Sequence, residues 1–398
     1  MFVNRTLQPL LLALFDKYPI VSVTGPRQSG KTTLCRTSFP ELAYVNLERP
    51  DVRDSAIADP RAFLARCGEG AVIDEIQRAP ELLSWIQVHV DELRRNRLFV
   101  LTGSEQFAFS ESLSQSLAGR TAILKLLPFS IREARAIRST MSIDEMLFTG
   151  FYPRIYDQQL DPTRALGDYF ETYVERDVRR LSEIRDLSTF QRFVRLCAGR
   201  IGQLLNLHSL GNDAGVSQPT ARHWISVLEA SFIVFLLPPF HPNVSKRLIK
   251  SPKLYFHDVG LASYLLGIEN TRQMETHPLR GALFENLVVA EALKFRTNSA
   301  RRSNLHFYRD SSGLEIDLIH PVAERVVAIE IKGGRTVASS FFDALTKFRQ
   351  LLGEGVAAEI LVTGVEEDEA TPSRRAASVI GPAGLEGALE SLDPPSPV

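Results

Sequence analysis

The sequence has few cysteines and no long apolar run. Its 398 residues include only Cys35, Cys67 and Cys197, which are scattered and show no C-x-x-C spacing. An odd, unclustered set of thiols suits buried side chains in a reducing compartment and argues against a structural zinc site. No apolar run approaches the roughly 18 to 20 residues that span a bilayer. Residues 1–5 lack the start of a signal peptide, so we expect a cytoplasmic protein without membrane contact.

The sequence also lacks an excess of charge of either sign. Lysine plus arginine number 46 and aspartate plus glutamate 47, which gives a formal net charge of -1. This composition excludes a global basic field, so any contact with nucleic acid must be local. The length predicts two or three domains, because single cores stop growing beyond about 250 to 300 residues.

A phosphate-binding motif follows the apolar residues 20–23. From Gly25 the chain reads G-x-x-x-x-G-K-T, in which the glycines permit a tight loop that presents backbone N–H groups to phosphates. Lys31 would reach the β and γ oxygens, the Thr32 hydroxyl would ligate magnesium, and the following helix would add its dipole. The motif predicts that a nucleoside triphosphate is bound with magnesium. Its predicted contacts are Gly25, Pro26, Arg27, Gln28, Ser29, Gly30, Lys31, Thr32 and Thr33.

Four further apolar segments follow, and helical patterns separate most of them. Alternation of buried strands and helices predicts a parallel sheet covered on both faces, in a domain of residues 1–135. The segments are residues 43–47, 71–73, 98–101 and 122–126.

Two adjacent acids, Asp74 and Glu75, follow the strand of residues 71–73. Asp74 is placed to hold the magnesium water shell at the sheet edge. Glu75 can orient and polarise an attacking water, so the pair favours hydrolysis over the phosphoryl transfer of a small-molecule kinase. We therefore predict Glu75 and Lys31 as catalytic residues. The alternative is a strand that ends in two solvated acids.

Polar residues near the fourth and fifth strands can act on the γ-phosphate. When a strand is inserted between the two phosphate-site motifs, a polar residue at its end contacts the γ-phosphate and the attacking water. Thr102 and Ser104 both qualify, the sequence does not decide between them, and we include Ser104 among the predicted catalytic residues. Arg120 can stabilise transition-state charge in its own site, or in a neighbour's site within a homo-oligomer. A solvated surface arginine is the alternative.

These motifs resemble a known family. The segments G-P-R-Q-S-G-K-T-T-L, V-I-D-E-I-Q, L-T-G-S and L-A-G-R-x-x-x-L-x-L-x-P-F-S occur in the order seen in a large bacterial and archaeal AAA-type ATPase family. Its members carry a C-terminal domain of unknown function that is similar to PD-(D/E)xK nucleases. The resemblance covers nearly the whole chain and implies an AAA-like fold with ATP as the nucleotide. The sequence contains no guanine-reading N/T-K-x-D motif.

The middle region, residues 136–245, holds the most basic stretch of the chain and a helix-turn-helix pattern. Between residues 176 and 200, seven arginines stand against three acids, an excess that suits phosphate contacts or a solvated helix face. Residues 209–222 resemble helix-turn-helix sequences, with Ser217 capping the second helix, and residues 232–237 would supply wing strands. A winged helix of this kind reads DNA or contacts protein. In a DNA reader the groove-facing residues would be Gln218, Thr220, Arg222 and His223.

The C-terminal region, residues 250–390, contains four residues in an order that looks like the PD-(D/E)xK nuclease core. Residues 281–288 open a helix with Glu285 near its start, Asp317 lies in a hairpin-like pair of strands, and Glu330 and Lys332 share one face of the next strand. In that resemblance Asp317 and Glu330 are magnesium ligands, Lys332 positions or activates water, and Glu285 binds metal or orients a ligand. The alternative is a solvated strand face. Residues 391–398 are expected to form a flexible tail.

Together these patterns predict an α/β protein. An AAA-like P-loop ATPase with a parallel sheet is followed by a winged-helix-like segment and an α/β nuclease-like domain. The main hypothesis is magnesium-dependent ATP hydrolysis coupled to a nuclease-like domain that acts on DNA or RNA. The alternative is a nucleotide-dependent switch whose C-terminal modules bind protein without catalysis.

Overall fold

The N-terminal region folds around a five-stranded sheet in a computed structural model that describes residues 3–103, 117–172, 186–241, 250–365, 371–372 and 377–394. Its strands are β1 (Ile20–Thr24), β2 (Ala43–Asn46), β3 (Ala71–Asp74), β4 (Phe99–Gly103) and β5 (Thr121–Lys125). They lie in the order β2-β3-β4-β1-β5, and every neighbouring pair is parallel. The predicted parallel sheet is confirmed. β4 is inserted between β1 and β3, so its carboxyl end lies between the two phosphate-site motifs.

Helices cover both faces of this sheet. Successive side chains of a buried strand point to opposite faces, so both faces of the sheet are apolar. Val72 and Val100 pack in one core with residues of α1 (Gln8–Lys17) and α2 (Lys31–Ser38). Ile73 packs in a second core with residues of the helices on the other face. These helices are α3 (Pro50–Ala58), α4 (Pro60–Arg66) and α5 (Leu82–Leu93).

Short helices and a two-stranded ribbon make up the middle region. Its helices are α6 (Ile131–Arg135), α7 (Ile143–Thr149), α8 (Pro153–Asp157), α9 (Pro162–Tyr169), α10 (Leu187–Ala198), α11 (Leu207–Ala214) and α12 (Gln218–Ala230). The ribbon pairs β6 (Val234–Leu237) with β7 (Lys253–Phe256) in antiparallel register. The predicted wing run therefore supplies one strand, and its partner comes from later in the chain. Much of the predicted basic stretch, with Arg176, Arg179, Arg180 and Arg185, lies outside the described residues.

A six-stranded mixed sheet forms the C-terminal region. Its strands are β8 (His306–Arg309), β9 (Glu315–Val322), β10 (Arg325–Lys332), β11 (Val356–Thr363), β12 (Thr371–Pro372) and β13 (Ser378–Ile380). The order is β12-β13-β11-β10-β9-β8, and the predicted hairpin is the antiparallel pair β8 and β9. The helices are α13 (Val259–Leu265), α14 (Thr271–Thr276), α15 (Arg280–Asn298), α16 (Asp343–Leu352) and α17 (Leu385–Leu392). In the part of the chain described here, no helix has the length and hydrophobicity needed to cross a membrane.

One hydrophobic core joins the middle and C-terminal regions. It extends from Leu127, just after β5, to Leu389 on α17, and includes Leu254 and Phe256 of the ribbon together with Leu287 of α15. The predicted division between residues 245 and 250 therefore does not separate two cores.

The chain end is held more firmly than the sequence indicates. α17 runs through Leu392, and the Asp393 carboxylate lies 2.8 Å from Arg296 Nη1, 2.6 Å from Arg301 Nη1 and 3.1 Å from His320 Nε2. These partners are distant in sequence, so composition alone does not reveal them. Of the predicted flexible tail, residues 391–392 thus belong to α17 and Asp393 is bonded to the body of the protein, and residues 395–398 lie outside the described ranges.

Candidate functional site

Two glycines give the phosphate loop its shape. Gly25 has a φ of 146°, and a Cβ at this position would collide with the Leu126 carbonyl group. Gly30, which caps α2, has a φ of 91°. Both conformations favour glycine, which lacks a Cβ atom. The loop therefore joins the carboxyl end of β1 to a helix N-terminus, as phosphate binding requires.

Lys31 is the buried cation of this loop. Its Nζ atom donates hydrogen bonds to Gly25 O at 2.9 Å and Pro26 O at 2.7 Å. Burial lowers the pKa of Lys31 to about 8, against the opposing charges of Glu75 and Asp74. The ammonium group is thus hydrogen-bonded to the loop and attracted by the charges of two carboxylates. Of the other predicted contacts, Pro26 and Ser29 are buried, Arg27, Gly30 and Thr32 are half-buried, and Gln28 and Thr33 are exposed.

The Asp74 carboxylate joins the two phosphate-site motifs. Thr32 Oγ1 donates to Asp74 Oδ2 at 2.9 Å, and Tyr44 OH donates to the same oxygen at 2.6 Å. Thr102 Oγ1 donates to the other oxygen, Oδ1. No sequence motif contains Tyr44. Its side chain reaches Asp74 because β2 pairs with β3, and this pairing is not visible in the sequence. A hydroxyl group and a carboxylate in contact at this edge suit a magnesium ion.

Glu75 follows Asp74 at a turn with a φ of 57°. Its side chain accepts a hydrogen bond from Gln77 Nε2, and its backbone N–H donates to Thr102 Oγ1 at 3.4 Å. Burial raises the pKa of Glu75 and outweighs the nearby charge of Lys31. Thr102 therefore points into the site. Ser104, the alternative at this position, lies outside the described residues.

Arg120 lies just before β5, at the amino ends of the strands, whereas the phosphate loop lies at their carboxyl ends. Its carbonyl oxygen accepts from Ile20 N, at the start of β1, whereas the phosphate loop follows the end of β1. The guanidinium forms two hydrogen bonds to Asp91 on α5, at 2.6 and 2.8 Å. This placement does not fit the role in its own site that we considered. Two alternatives remain for Arg120, which are a surface ion pair with Asp91 and a contact with a neighbouring subunit.

The structure brings together the four predicted C-terminal residues. Glu285 stands on α15, Asp317 on β9, and Glu330 and Lys332 at the end of β10. Lys332 Nζ lies 2.6 Å from Glu330 Oε1 and 3.8 Å from Asp317 Oδ2, and Asp317 Oδ2 also accepts from Ile331 N. Asp317 and Glu330 are buried, so this is not a solvated strand face.

Lys253, from strand β7 of the two-stranded ribbon, lies among these acids. Its Nζ atom is 3.0 Å from Glu285 Oε1, 2.7 Å from Glu315 Oε1 and 3.9 Å from Asp317 Oδ1. Burial disfavours the charge of Lys253, but Glu285, Asp317 and Glu315 outweigh burial and raise its pKa. We call Glu285, Glu315, Asp317, Glu330, Lys253 and Lys332 the carboxylate cluster.

The sequence interpretation missed three participants, although a signal was present. Lys253 and Tyr255 alternate along β7, and Glu315 precedes Asp317 by two residues on β9, so each pair shares a strand face. Tyr255 OH donates to Glu285 Oε1 at 2.5 Å. The missing information was the packing of β7 beside α15.

The cluster does not fit the predicted magnesium site. Among the described residues, no group of three or more His, Cys, Asp or Glu side chains is arranged to hold a metal ion. Three of the acids already surround the Lys253 ammonium, which supplies the positive charge that a metal would bring. The roles of Asp317 and Glu330 as metal ligands therefore have no support in this geometry.

Glu330 should make stability depend on pH. Burial, followed by the charge of Asp317, raises the pKa of Glu330 to about 8, from an ordinary value of 4.5. The folded protein therefore keeps a proton that the unfolded chain releases, and this group reduces stability as pH rises from about 4.5 to about 8. Glu330→Gln should flatten that fall in the free energy of unfolding, measured by urea denaturation across this range.

The exposed acid Glu324, which precedes β10, provides a matched control. Glu324→Gln should keep the wild-type slope of stability against pH. An unchanged slope in Glu330→Gln would show that Glu330 is ionised in the folded protein.

The helix pair α11 and α12 places some of the predicted DNA-facing residues on the surface. Ser217 Oγ accepts from Thr220 N at 3.3 Å and caps α12, as predicted. Gln218, Arg222 and His223 are exposed, whereas Thr220 is half-buried and its hydroxyl bonds to Ser217.

Three family models match successive parts of the chain. An AAA domain matches residues 17–135 and agrees with the parallel sheet and phosphate loop described above. A domain of unknown function (DUF8612) matches residues 140–272, and another domain of unknown function (DUF4143) matches residues 280–380.

Similar proteins occur in three bacteria. Two uncharacterized proteins, from Mycobacterium tuberculosis and Mycobacterium bovis, are each 31% identical over 327 residues, which cover 81% of this chain and 72% of the relative. An uncharacterized protein of Haemophilus influenzae is 26% identical over 357 residues, covering 81% of this chain and 84% of its own. Among solved structures, a Walker-type ATPase of Pyrococcus abyssi aligns with a TM-score of 0.45 and 16% identity, covering 66% of this chain and 96% of its own.

Proposed function

Because residues 17–135 match the AAA domain and the chain belongs to one family with its two mycobacterial relatives, we propose that it binds ATP with magnesium and hydrolyses it to ADP and phosphate. One observation carries the proposal. Thr32 of the loop motif donates a hydrogen bond to Asp74 of the strand motif, and the buried ammonium of Lys31 interacts with the same carboxylate. Side chains far apart in sequence thus converge where the phosphates of ATP would lie.

Thr32 and Asp74 would hold the magnesium ion, because both offer oxygen atoms at the sheet edge. When bound, magnesium neutralises negative charge on the phosphate oxygens. Lys31 binds the β and γ oxygens, and the backbone N–H groups of the loop surround the phosphate chain.

Glu75 is the proposed base of the reaction. Its pKa is raised by burial, so its carboxylate binds a proton more strongly than an exposed glutamate does. Glu75 orients the attacking water and accepts its proton while the water oxygen bonds to the γ-phosphorus and the bond to the ADP oxygen breaks. Thr102 positions this pair of acids, because its hydroxyl contacts the Asp74 carboxylate and the Glu75 N–H.

Lys31→Ala tests the nucleotide site. A hydrogen bond to a charged group contributes about 1.5–3 kcal/mol, so the variant should bind ATP about 10- to 150-fold more weakly in calorimetric titrations with magnesium. Lys17→Ala, at an exposed position of α1, is the matched control and should bind as the wild type does. Equal affinity of Lys31→Ala and the control would overturn the assignment of the loop.

The convergence of Glu285, Asp317, Glu330 and Lys332 favours a second candidate, hydrolysis of DNA or RNA at the carboxylate cluster. Gln218, Arg222 and His223 would then offer exposed contacts to nucleic acid. Lys253 argues for the alternative that the C-terminal region is a non-catalytic module moved by the ATPase, because its ammonium already balances the charge of three of the acids.

A cleavage assay decides between these two candidates. With magnesium or manganese and single-stranded, duplex or branched substrates, we expect no metal-dependent cleavage. Asp317→Ala is assayed in parallel. Cleavage by the wild type that disappears in Asp317→Ala would establish the nuclease instead, whereas cleavage that persists in the variant would indicate a contaminating enzyme.

A further inference from the structure

Arg5 is a buried cation that contacts the phosphate loop, although no motif contains it. Its Nη1 atom donates to Ser29 O at 2.6 Å, and its Nη2 atom donates to Leu127 O at 2.7 Å. The guanidinium carbon also lies 5.0 Å from the centre of the Phe129 ring. Arg5 therefore ties the loop to the segment that leaves the ATPase sheet after β5.

Glu133, on α6, extends this connection beyond the ATPase sheet. Arg5 Nε lies 3.0 Å from Glu133 Oε1, and Thr6 N donates to the same oxygen at 2.7 Å. Glu133 Oε2 accepts from Ser130 N at 2.9 Å and completes the capping box of α6. Both charged side chains are almost fully buried, so water screens their attraction weakly.

The start of α6 is in turn bonded to α15. Ile131 N donates to Glu291 Oε1 at 2.8 Å, and Lys294 Nζ donates to Phe129 O at 2.8 Å. Lys294 Nζ lies 3.5 Å from Glu291 Oε2, so the two α15 residues are also an ion pair. Glu291 and Lys294 are 3% and 2% exposed. Two buried, oppositely charged residues on one helix therefore hold the backbone on either side of Ser130.

Helix α15 also carries Glu285 of the carboxylate cluster. Glu285 precedes Glu291 by six residues, about 9 Å along a helix that rises 1.5 Å per residue. A helix moves nearly as a rigid rod over that length. A displacement of the helix at Glu291 therefore reaches Glu285, whose carboxylate bonds to Lys253 and Tyr255.

We infer that Arg5 is a positioning residue that couples the phosphate loop to α15, through Glu133 and Glu291. This coupling rests on the proposed binding of ATP, because the loop must hold a nucleotide to have two states. Phosphates bound by the loop change the position of Ser29 O and the field at Arg5. The chain of buried contacts then biases α15, and the carboxylate cluster with it. Coupling is reciprocal, so a change at α15 also alters ATP affinity.

Hydrogen exchange with and without a non-hydrolysable ATP analogue tests this inference. In the wild type, the analogue should change amide exchange in α15 by about fivefold or more, the lower range of measured coupling. Arg5→Met should bind the analogue and lose most of this response. Arg5→Lys should restore part of it, because the charge beside Glu133 returns.

Two further variants keep the test decisive. Glu133→Gln retains the acceptor for Ser130 N but removes the negative charge, so it should fold and lose the response if Arg5→Met proves unstable. Arg97→Met, an exposed arginine of the same region, should respond as the wild type does. Failure of the wild type to bind the analogue would refute the proposed ATP site. Binding without a response at α15, or with an equal response in Glu133→Gln, would refute the coupling alone.

Discussion

Glu75→Gln should bind ATP as tightly as the wild type and hydrolyse it about 10²- to 10⁴-fold more slowly. This range is the usual contribution of a positioned general base. Glutamine keeps the size of the side chain and an acceptor oxygen for Gln77, but it cannot take a proton from water. Loss of kcat with little change in ATP affinity is the expected signature, because the base acts in the transition state and not on the bound substrate.

The measurement combines steady-state phosphate release with equilibrium binding of ATP. Glu81→Gln removes an exposed acid of the same segment and should leave both quantities unchanged. A normal turnover rate in Glu75→Gln would remove Glu75 from the role of base. A large loss of ATP affinity would assign it to binding.

Lys253→Met should lower the free energy of unfolding by about 3–5 kcal/mol near neutral pH. Removing one partner of a buried ion pair leaves the other charge without compensation, and here Glu285, Glu315 and Asp317 all lose a cation within 4 Å. Methionine fills a similar volume, so the loss reports charge more than packing. The deficit should shrink as pH falls, because burial raises the pKa of Glu285 and its protonation removes one of the charges that the lysine no longer balances.

Urea denaturation of three variants separates the causes. The double variant Lys253→Met with Glu285→Gln should recover part of the lost stability, because it removes one of the unbalanced acids. Lys250→Met, at an exposed position just before β7, is the control for the loss of a surface lysine. A loss below about 1 kcal/mol in Lys253→Met would show that water or rearranged side chains compensate the acids.

The nucleotide site could be predicted because most of its residues lie in two short sequence motifs. The loop motif fixes the spacing of Gly25, Gly30 and Lys31, and the apolar run before Asp74 places that acid at the edge of a parallel sheet. The contact between Thr32 and Asp74 then follows from the family of folds that such a loop and strand build. The sequence could not decide between Thr102 and Ser104, because strand alternation does not distinguish two hydroxyl side chains that are two residues apart.

The residues that escaped prediction are those whose partners are distant. Arg5 contacts Ser29 and Glu133, and Lys253 contacts acids on α15 and β9. In each case the neighbouring residues in the sequence form no motif. The role of the side chain follows only from how distant segments pack together. Asp393 is a similar case, because its partners Arg296 on α15, Arg301 just after α15 and His320 on β9 are all distant in sequence.

The shared core after Leu127 has a consequence for how such chains diversify. Family models divide this part of the chain at residues 272 and 280, yet Lys253 and Tyr255 lie before that division and complete the surroundings of Glu285, which lies after it. A fragment that begins at residue 280 would inherit the acids without their lysine. Recombination that replaced either the domain of residues 140–272 or the domain of residues 280–380 by an unrelated one would leave buried charge unbalanced. We therefore expect these two domains to be inherited together.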